Sequence, residues 1–180
     1  MDVMTAILTR RSEAALAEPA PGDAEFTYLL RGAATAPDHG RLRPWRWITL
    51  RGADREALGE CLAAQAPPGA QEGIRRSQMR APLLAALVFA PHTGHRIPQW
   101  EQLAATSAMT HALLLLLHSR GYGSIWRTGR LARSPAAAGL LGLGGHERLL
   151  GALSIGTAVG GPQHRKELAD VSAQVSAFAP

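Results

Sequence analysis

The chain predicts a sheet enclosed by helices, of α+β or α/β class, and three observations carry that expectation. "LLAALVFAP" is a continuous apolar run of strand length, as a buried central strand requires. "WRWITLRG", "YGSIWRTG" and "RLLGALSIG" are further strand-like stretches, bounded by turn residues. Helical segments separate and surround them, which is the order expected of a sheet covered by helices. A length of 180 residues suits a single domain, residues 1–180, with room for a substantial core.

Taken in order, "VMTAILTRR" has a helical pattern with Val3, Ile7 and Leu8 on one side. "AEPAPGD" is a loop, after which Asp23 is placed to cap the helix "AEFTYLLRGAATA". "PDHGRLRP" is a polar loop stiffened by proline at both ends, and "WRWITLRG" alternates as a strand does. "ADREALGECLAAQA" is a helix, and "PPGAQEGIRRSQMRAP" is a mobile connection with room for one short helix. "QWEQLAATSAMTHALLLLLHSRG" is the longest helix, apolar nearly all round, closed by Gly121. "SPAAAGLLGL" is a short helix with Ser134 as cap and Pro135 at its first position. The tail "TAVGGPQHRKELADVSAQVSAFAP" has little periodicity and reads as an extended arm.

Composition narrows the function classes. The net charge is +5, and 18 of the 19 basic residues are arginines, Lys166 being the exception. They are dispersed from Arg10 to Arg165 in runs no longer than two, and aromatics make up 5% of the chain. That pattern lacks the basic stripe and stacking platforms of a nucleic-acid binder and fits small anionic ligands better. Cys61 is the sole cysteine, so disulfides within the chain and cysteine metal clusters are excluded, and it reads as a buried structural thiol. No signal-peptide pattern opens the chain and no apolar run approaches the ~20 residues of a membrane span, so a cytoplasmic protein is expected.

"GYGSIWRTG", Gly121 to Gly129, raises the possibility of a dinucleotide loop. A dinucleotide fingerprint follows a strand and opens a helix, whereas this stretch closes a helix and opens a strand, so that reading fails. "RRS", Arg10 to Ser12, places two guanidiniums and a hydroxyl at a helix end. It is either a phosphate grip or a basic last turn favoured by the macrodipole. His39, within "APDHGRLRPW", is either a surface histidine or a cofactor contact. The seven histidines show no HxH or HxxxH pair, and no metal site is expected.

In series, "RRS", "APDH…PW", "PQWEQ" and "GYGSIWRTG" resemble the flavin-dependent nitroreductase family, in particular its small bacterial NAD(P)H nitroreductase branch. The resemblance covers essentially the whole chain. It implies an α+β, nitroreductase-like fold with a mostly antiparallel central sheet flanked by helices. It also implies a homodimer with FMN at the interface, in which the C-terminal arm is exchanged and "DVSAQVSAF" adds to the partner's sheet. By motif, Arg10, Arg11 and Ser12 hold the FMN phosphate and ribityl chain, and Thr35 and His39 face the cofactor. Trp126, Arg127 and Thr128 complete the phosphate clamp. The same resemblance places NAD(P)H contact at Leu116, Leu117, His118, Ser119, Arg120 and Gly121.

The activity implied is ping-pong hydride transfer from NAD(P)H through FMN to an electron-poor acceptor such as a nitroaromatic or quinone, with no catalytic acid or base required of the protein. Three positions depart from the family pattern. Ala14 and Ala15 stand where a basic residue is common, Thr35 where arginine is common, and Arg43 where the pattern has glutamine. The missing basic groups motivate an alternative, a non-redox flavin-binding or sequestering protein of the same fold. An enzyme of this fold that consumes its flavin or dehalogenates a substrate is the third reading.

Overall fold

The computed structural model describes residues 1–160 and 165–178. Helix α1 spans Val3–Thr9, followed by the two-residue strand β1, Leu16–Ala17, and α2, Asp23–Ala33. Strand β2, Trp45–Leu50, leads to helices α3, Ala53–Ala63, and α4, Pro68–Gln78, and then to β3, Leu83–Phe89. The long helix α5, Gln99–Ser119, precedes β4, Gly123–Arg127, the short helix α6, Pro135–Leu140, and β5, Arg148–Ala158.

The strands form one sheet in the order β1-β5-β3-β2, with β4 also paired to β5, and every strand pairing is antiparallel. The class is therefore α+β. Every residue of β3 is buried, as its unbroken apolar run demands of a strand covered on both faces. On one face lie Leu58 and Leu62 of α3, Ile74 of α4 and Ala137 of α6. On the other lie Phe26 and Leu29 of α2 and Met109, Leu113 and Leu117 of α5.

Helix ends follow their local chemistry. Ser134 caps α6 by accepting from the Ala137 amide, with Pro135 at the first position. At the end of α5 the Gly121 amide donates to His118 and the Tyr122 amide to Leu117, and Gly121 has φ 86°. This is a Schellman closure, which requires a left-handed residue at the glycine. It turns the chain directly into β4.

Four expectations need correction. Asp23 is the first residue of α2, not its cap. Gly22 holds the cap position, and the Asp23 carboxylate pairs with Arg51 at 3.1 Å. The stretch read as a mobile connection is the eleven-residue helix α4, with Pro68 in its first turn. In α1 it is Ala6 and Leu8 that are buried, while Val3 and Ile7 face outward. Cys61 is only partly buried. The arm carries one short 3-10 turn, Ser172–Gln174. The part of the predicted arm at residues 161–164, and its last two residues, lie outside the described residues.

Candidate functional site

Helix α1 delivers the "RRS" motif to the sheet. Asp2 caps the helix by accepting from the Thr5 amide, and the chain leaves it at Arg10 in an extended conformation. Ser12 then bridges Ser124 of β4 in parallel, and the Glu13 amide donates to the Ser124 carbonyl at 3.1 Å. Arg10 and Arg11 are thereby fixed at the end of β4. Arg11 donates to the Leu8 carbonyl at 3.2 Å, and Arg10 to the Arg11 carbonyl at 3.4 Å.

A third cation arrives from the far end of the chain. The Lys166 amide donates to the Leu8 carbonyl at 2.9 Å, and its ammonium to the Ile7 carbonyl at 3.4 Å. A cation on the last carbonyls of a helix is favoured by the macrodipole. Burial, with Arg10 and Arg11 adding to it, holds the Lys166 ammonium below the usual lysine range.

His118 of α5 meets Thr9 at 2.7 Å. The Thr9 hydroxyl spends its proton on the Thr5 carbonyl, so His118 Nε2 carries the hydrogen of that contact. Burial first, then the Arg10 charge, pushes His118 below its ordinary value, against the opposing pull of Glu13. Arg10, Arg11 and Lys166 thus converge on one helix end beside His118, whose protonation Arg10 and Lys166 disfavour, an arrangement of positive groups that an anion would relieve.

Strand β4 carries the site onward. Arg127 stands three residues beyond Ser124, on the order of 10 Å along the strand. By alternation Ile125 and Arg127 share the face of Ala152 and Ser154, and Arg127 Nε donates to Ser154 Oγ at 3.2 Å. There a cavity of about 300 Å³ opens, lined by Ser77 and Gln78 of α4, by Arg127 and Arg130, and by Ser154.

Trp126 points to the opposite face, packs beneath α2 and α5, and donates from its indole to the Leu150 carbonyl at 3.1 Å. Thr128 lies just past the strand, exposed. The path of the chain here depends on Gly151. It sits in a bulge of β5 with φ 110°, where a Cβ would overlap the Arg127 carbonyl oxygen.

Thr35 and His39 are held at different places. Thr35 follows α2 and its hydroxyl donates to the Gly32 carbonyl at 2.8 Å. His39 Nδ1 is 2.8 Å from Glu101, in the first turn of α5. Glu101 and His118 are seventeen residues apart on one helix, which sets His39 about 25 Å from the His118 end, whereas Gly32, which holds Thr35, packs against Leu116 near that end. Within one chain His39 and the Arg10 end are therefore held at opposite ends of α5.

The stretch from Leu116 to Gly121 is mixed. Leu117 is fully buried and Leu116 packs on the same core. Ser119 and Arg120 are exposed, with the Arg120 guanidinium 5.7 Å from the Tyr28 ring centre.

Lys166, Ser77, Gln78, Arg130 and Ser154 were not reached from sequence. Lys166 alone carried a usable signal, as the single lysine among eighteen arginines. The others join the cavity through strand facing and the unexpected α4. No helix among the described residues is long and apolar enough to cross a membrane, and no three histidine, cysteine or acidic residues among them cluster as a metal site.

A family model described as "Nitroreductase family" matches residues 7–157. The Escherichia coli (strain K12) protein "Putative NAD(P)H nitroreductase YdjA" is 32% identical over 162 residues, covering 87% of this chain and 88% of that one. A Haemophilus influenzae protein named "Putative NAD(P)H nitroreductase" is 27% identical over 165 residues, covering 88% and 90%. Among solved structures, a nitroreductase-like family protein from Bacillus cereus aligns with a TM-score of 0.88 at 22% identity, over 100% of this chain and 97% of that one. The FMN and NADPH-dependent nitroreductase NfnB from sphigopyxis sp. strain HMH aligns with a TM-score of 0.77 at 20% identity, over 99% and 100%. At such identities the structural likeness is one of fold.

Proposed function

We propose, from the premise that this chain belongs to the nitroreductase family, that it is an FMN-dependent NAD(P)H oxidoreductase. It passes hydride to an electron-poor acceptor such as a nitroaromatic or a quinone. The observation that carries the reading is the convergence of Arg10, Arg11 and Lys166 on the end of α1, joined through β4 to the Arg127 cavity. The donor set fits the cofactor. A crowded group of cations suits a phosphate dianion, which guanidinium and ammonium groups bind by charge-assisted hydrogen bonds. The cavity beyond it offers Ser77, Gln78 and Ser154 for polar contact.

FMN, when bound, supplies the two-electron hydride chemistry that no side chain has. The chain's own work is positional. Arg10, Arg11, Ser12 and Lys166 anchor the phosphate end, and Arg127 extends the positive field along β4. Gly151 keeps the Arg127 backbone in register. Holding donor and acceptor by turns over one anchored group removes most of the entropic cost of their encounter.

The domain spans residues 1–180 and acts as a homodimer. An antiparallel meeting of two α5 helices would bring the partner's His39 end beside the Arg10 end, completing the site. The uncovered face of α5 supports this, since Ala104, Ser107 and Ala108 allow close approach beside Trp100, which is 69% exposed. Val3 and Ile7 of α1, and Val175 and Phe178 of the arm, are exposed apolar groups awaiting cover. A cytoplasmic location, where NAD(P)H is supplied, belongs to the same reading.

The test is an absorption spectrum of the purified protein before and after anaerobic NADPH. Oxidised-flavin bands that bleach are expected. Bands that persist would favour the sequestering reading, and their absence even with added FMN would overturn the assignment.

A further inference from the structure

The loop between Thr35 and β2 ends in two arginines held in a backbone conformation that side-chain-bearing residues rarely adopt. φ is 53° at Arg41 and 48° at Arg43, next to 74° at Gly40. A non-glycine residue persists there only where its surroundings over-determine it, and here they do. The Asp38 carboxylate accepts from the Leu42 amide at 3.2 Å and from the Arg43 amide at 2.7 Å. His92 Nε2 meets the Leu42 carbonyl at 2.9 Å, and the Pro44 carbonyl accepts from the Ala90 amide at 2.9 Å.

What this scaffold presents is positive charge. Arg41 and Arg43 line, with Thr35 and Asp38, a polar cavity of about 400 Å³. Among the described residues neither guanidinium forms an ion pair, in contrast to Arg46, Arg51, Arg75 and Arg76. Asp38 lines the same cavity, but its carboxylate is turned to the Leu42 and Arg43 amides and forms no ion pair with either guanidinium among the described residues. Two guanidiniums that a fixed loop sets on one polar cavity, outside any ion pair among the described residues, suit an external anion.

We infer that Arg41 and Arg43 form an anion subsite that receives a phosphate monoester or carboxylate carried by the hydride donor or the acceptor. The inference rests on the reading above, in which Thr35 and His39 face the flavin and so place this cavity beside the reacting molecules. Guanidinium forks bind both oxyanions in bidentate fashion, so the chemistry is shared by two sources, the 2′-phosphate of NADPH and an acid group on the acceptor.

Calorimetric titration separates them without turnover. The probes are NADP+ against NAD+, and 4-nitrobenzoate against 4-nitrobenzamide, on the wild-type protein, on R41Q and R43Q singly, and on the double variant. The expected result is a wild-type preference of at least about tenfold for the anionic member of one pair, as loss of a charged hydrogen bond implies. That preference should fall in each single variant and approach unity in the double variant. The pair that responds names the source. No preference in either pair, or a preference that survives in the double variant, would overturn the subsite. Flavin content, read from absorbance of the same preparations, keeps the two readings apart. Full flavin without discrimination overturns the subsite alone, whereas discrimination in a protein that takes up no flavin overturns the oxidoreductase reading alone.

Discussion

Arg46 and Arg10 carry the same charge into opposite surroundings. Arg46 meets Glu147 through two hydrogen bonds of 2.7 Å and gives a third, of 3.1 Å, to the Gly142 carbonyl. The same carboxylate accepts from the Gly144 amide at 2.8 Å, so the α6–β5 connection is tied to β2. Arg10 has Arg11 beside it, and both bear on Lys166. In the first region charge is consumed by the fold. In the second, cations are gathered at a helix end, where the macrodipole partly compensates them. The chain's positive excess is therefore informative only once the paired guanidiniums have been set aside.

Removing the accumulated charge should have the largest effect. The double variant R10A/R127A should raise the FMN dissociation constant by at least about a hundredfold, because each change deletes charge-assisted contacts worth roughly 1.5–3 kcal/mol. The melting temperature of the flavin-free protein should stay within about 2 °C of wild type, since no ion pair is lost and the hydrogen bonds removed, to Ser154 and to the Arg11 carbonyl, are long. A comparable fall in stability would erase the distinction between the two regions.

E147Q should do the reverse. It should cost about 2 kcal/mol, lowering the melting temperature by roughly 4–8 °C, and leave flavin affinity unchanged. Hydrogen bonds from Arg46, aided by the Gly144 amide, hold the Glu147 carboxyl down to about 2, against an ordinary value of 4.5. A carboxylate whose folded value is depressed contributes stability above its unfolded value and loses it as pH falls toward the folded one. The gap between wild type and E147Q should therefore narrow between about pH 4.5 and about pH 2 in acid-unfolding curves.

The smallest effect concerns His118. Burial and Arg10 disfavour its protonation in the folded protein. The unfolded chain then takes up the proton first, so stability is full above the ordinary histidine value of 6.5 and declines as pH drops below it. Melting curves between pH 7.5 and 5.5 should show this decline in wild type and a flatter profile in H118Q. Saturating FMN should also flatten it, since a phosphate near Arg10 offsets the positive field.

The elements that could be read from sequence are those in which one apolar pattern extends over many residues. The unbroken run of β3, the length of α5 and the Ser134–Pro135 start of α6 each report a local rule obeyed without competition. Helix α4 was obscured because only Ile74 of its residues is buried, leaving no apolar stripe, and glycines interrupt it. Strand β1 is two residues long and exists only because β5 extends far enough to pair with it.

The site divides the same way. "RRS" and Arg127 lie in motifs, whereas Lys166 reaches Leu8 across more than a hundred and fifty residues of chain. Ser154 gains its role from which face of β5 it occupies. His39 could be named from pattern, but its separation from Arg10 by the length of α5 could not.

That separation gives α5 a genetic property. On the proposed dimer each protomer keeps the Arg10 end of one site and lends the His39 end to the other. A defect at Arg10 and a defect at His39 would then be complementary. Co-expressed in one mixed dimer, both lesions would fall on the same site and leave the second assembled wholly from undamaged parts. Two inactive alleles would together yield half of the normal number of working sites per mixed pair.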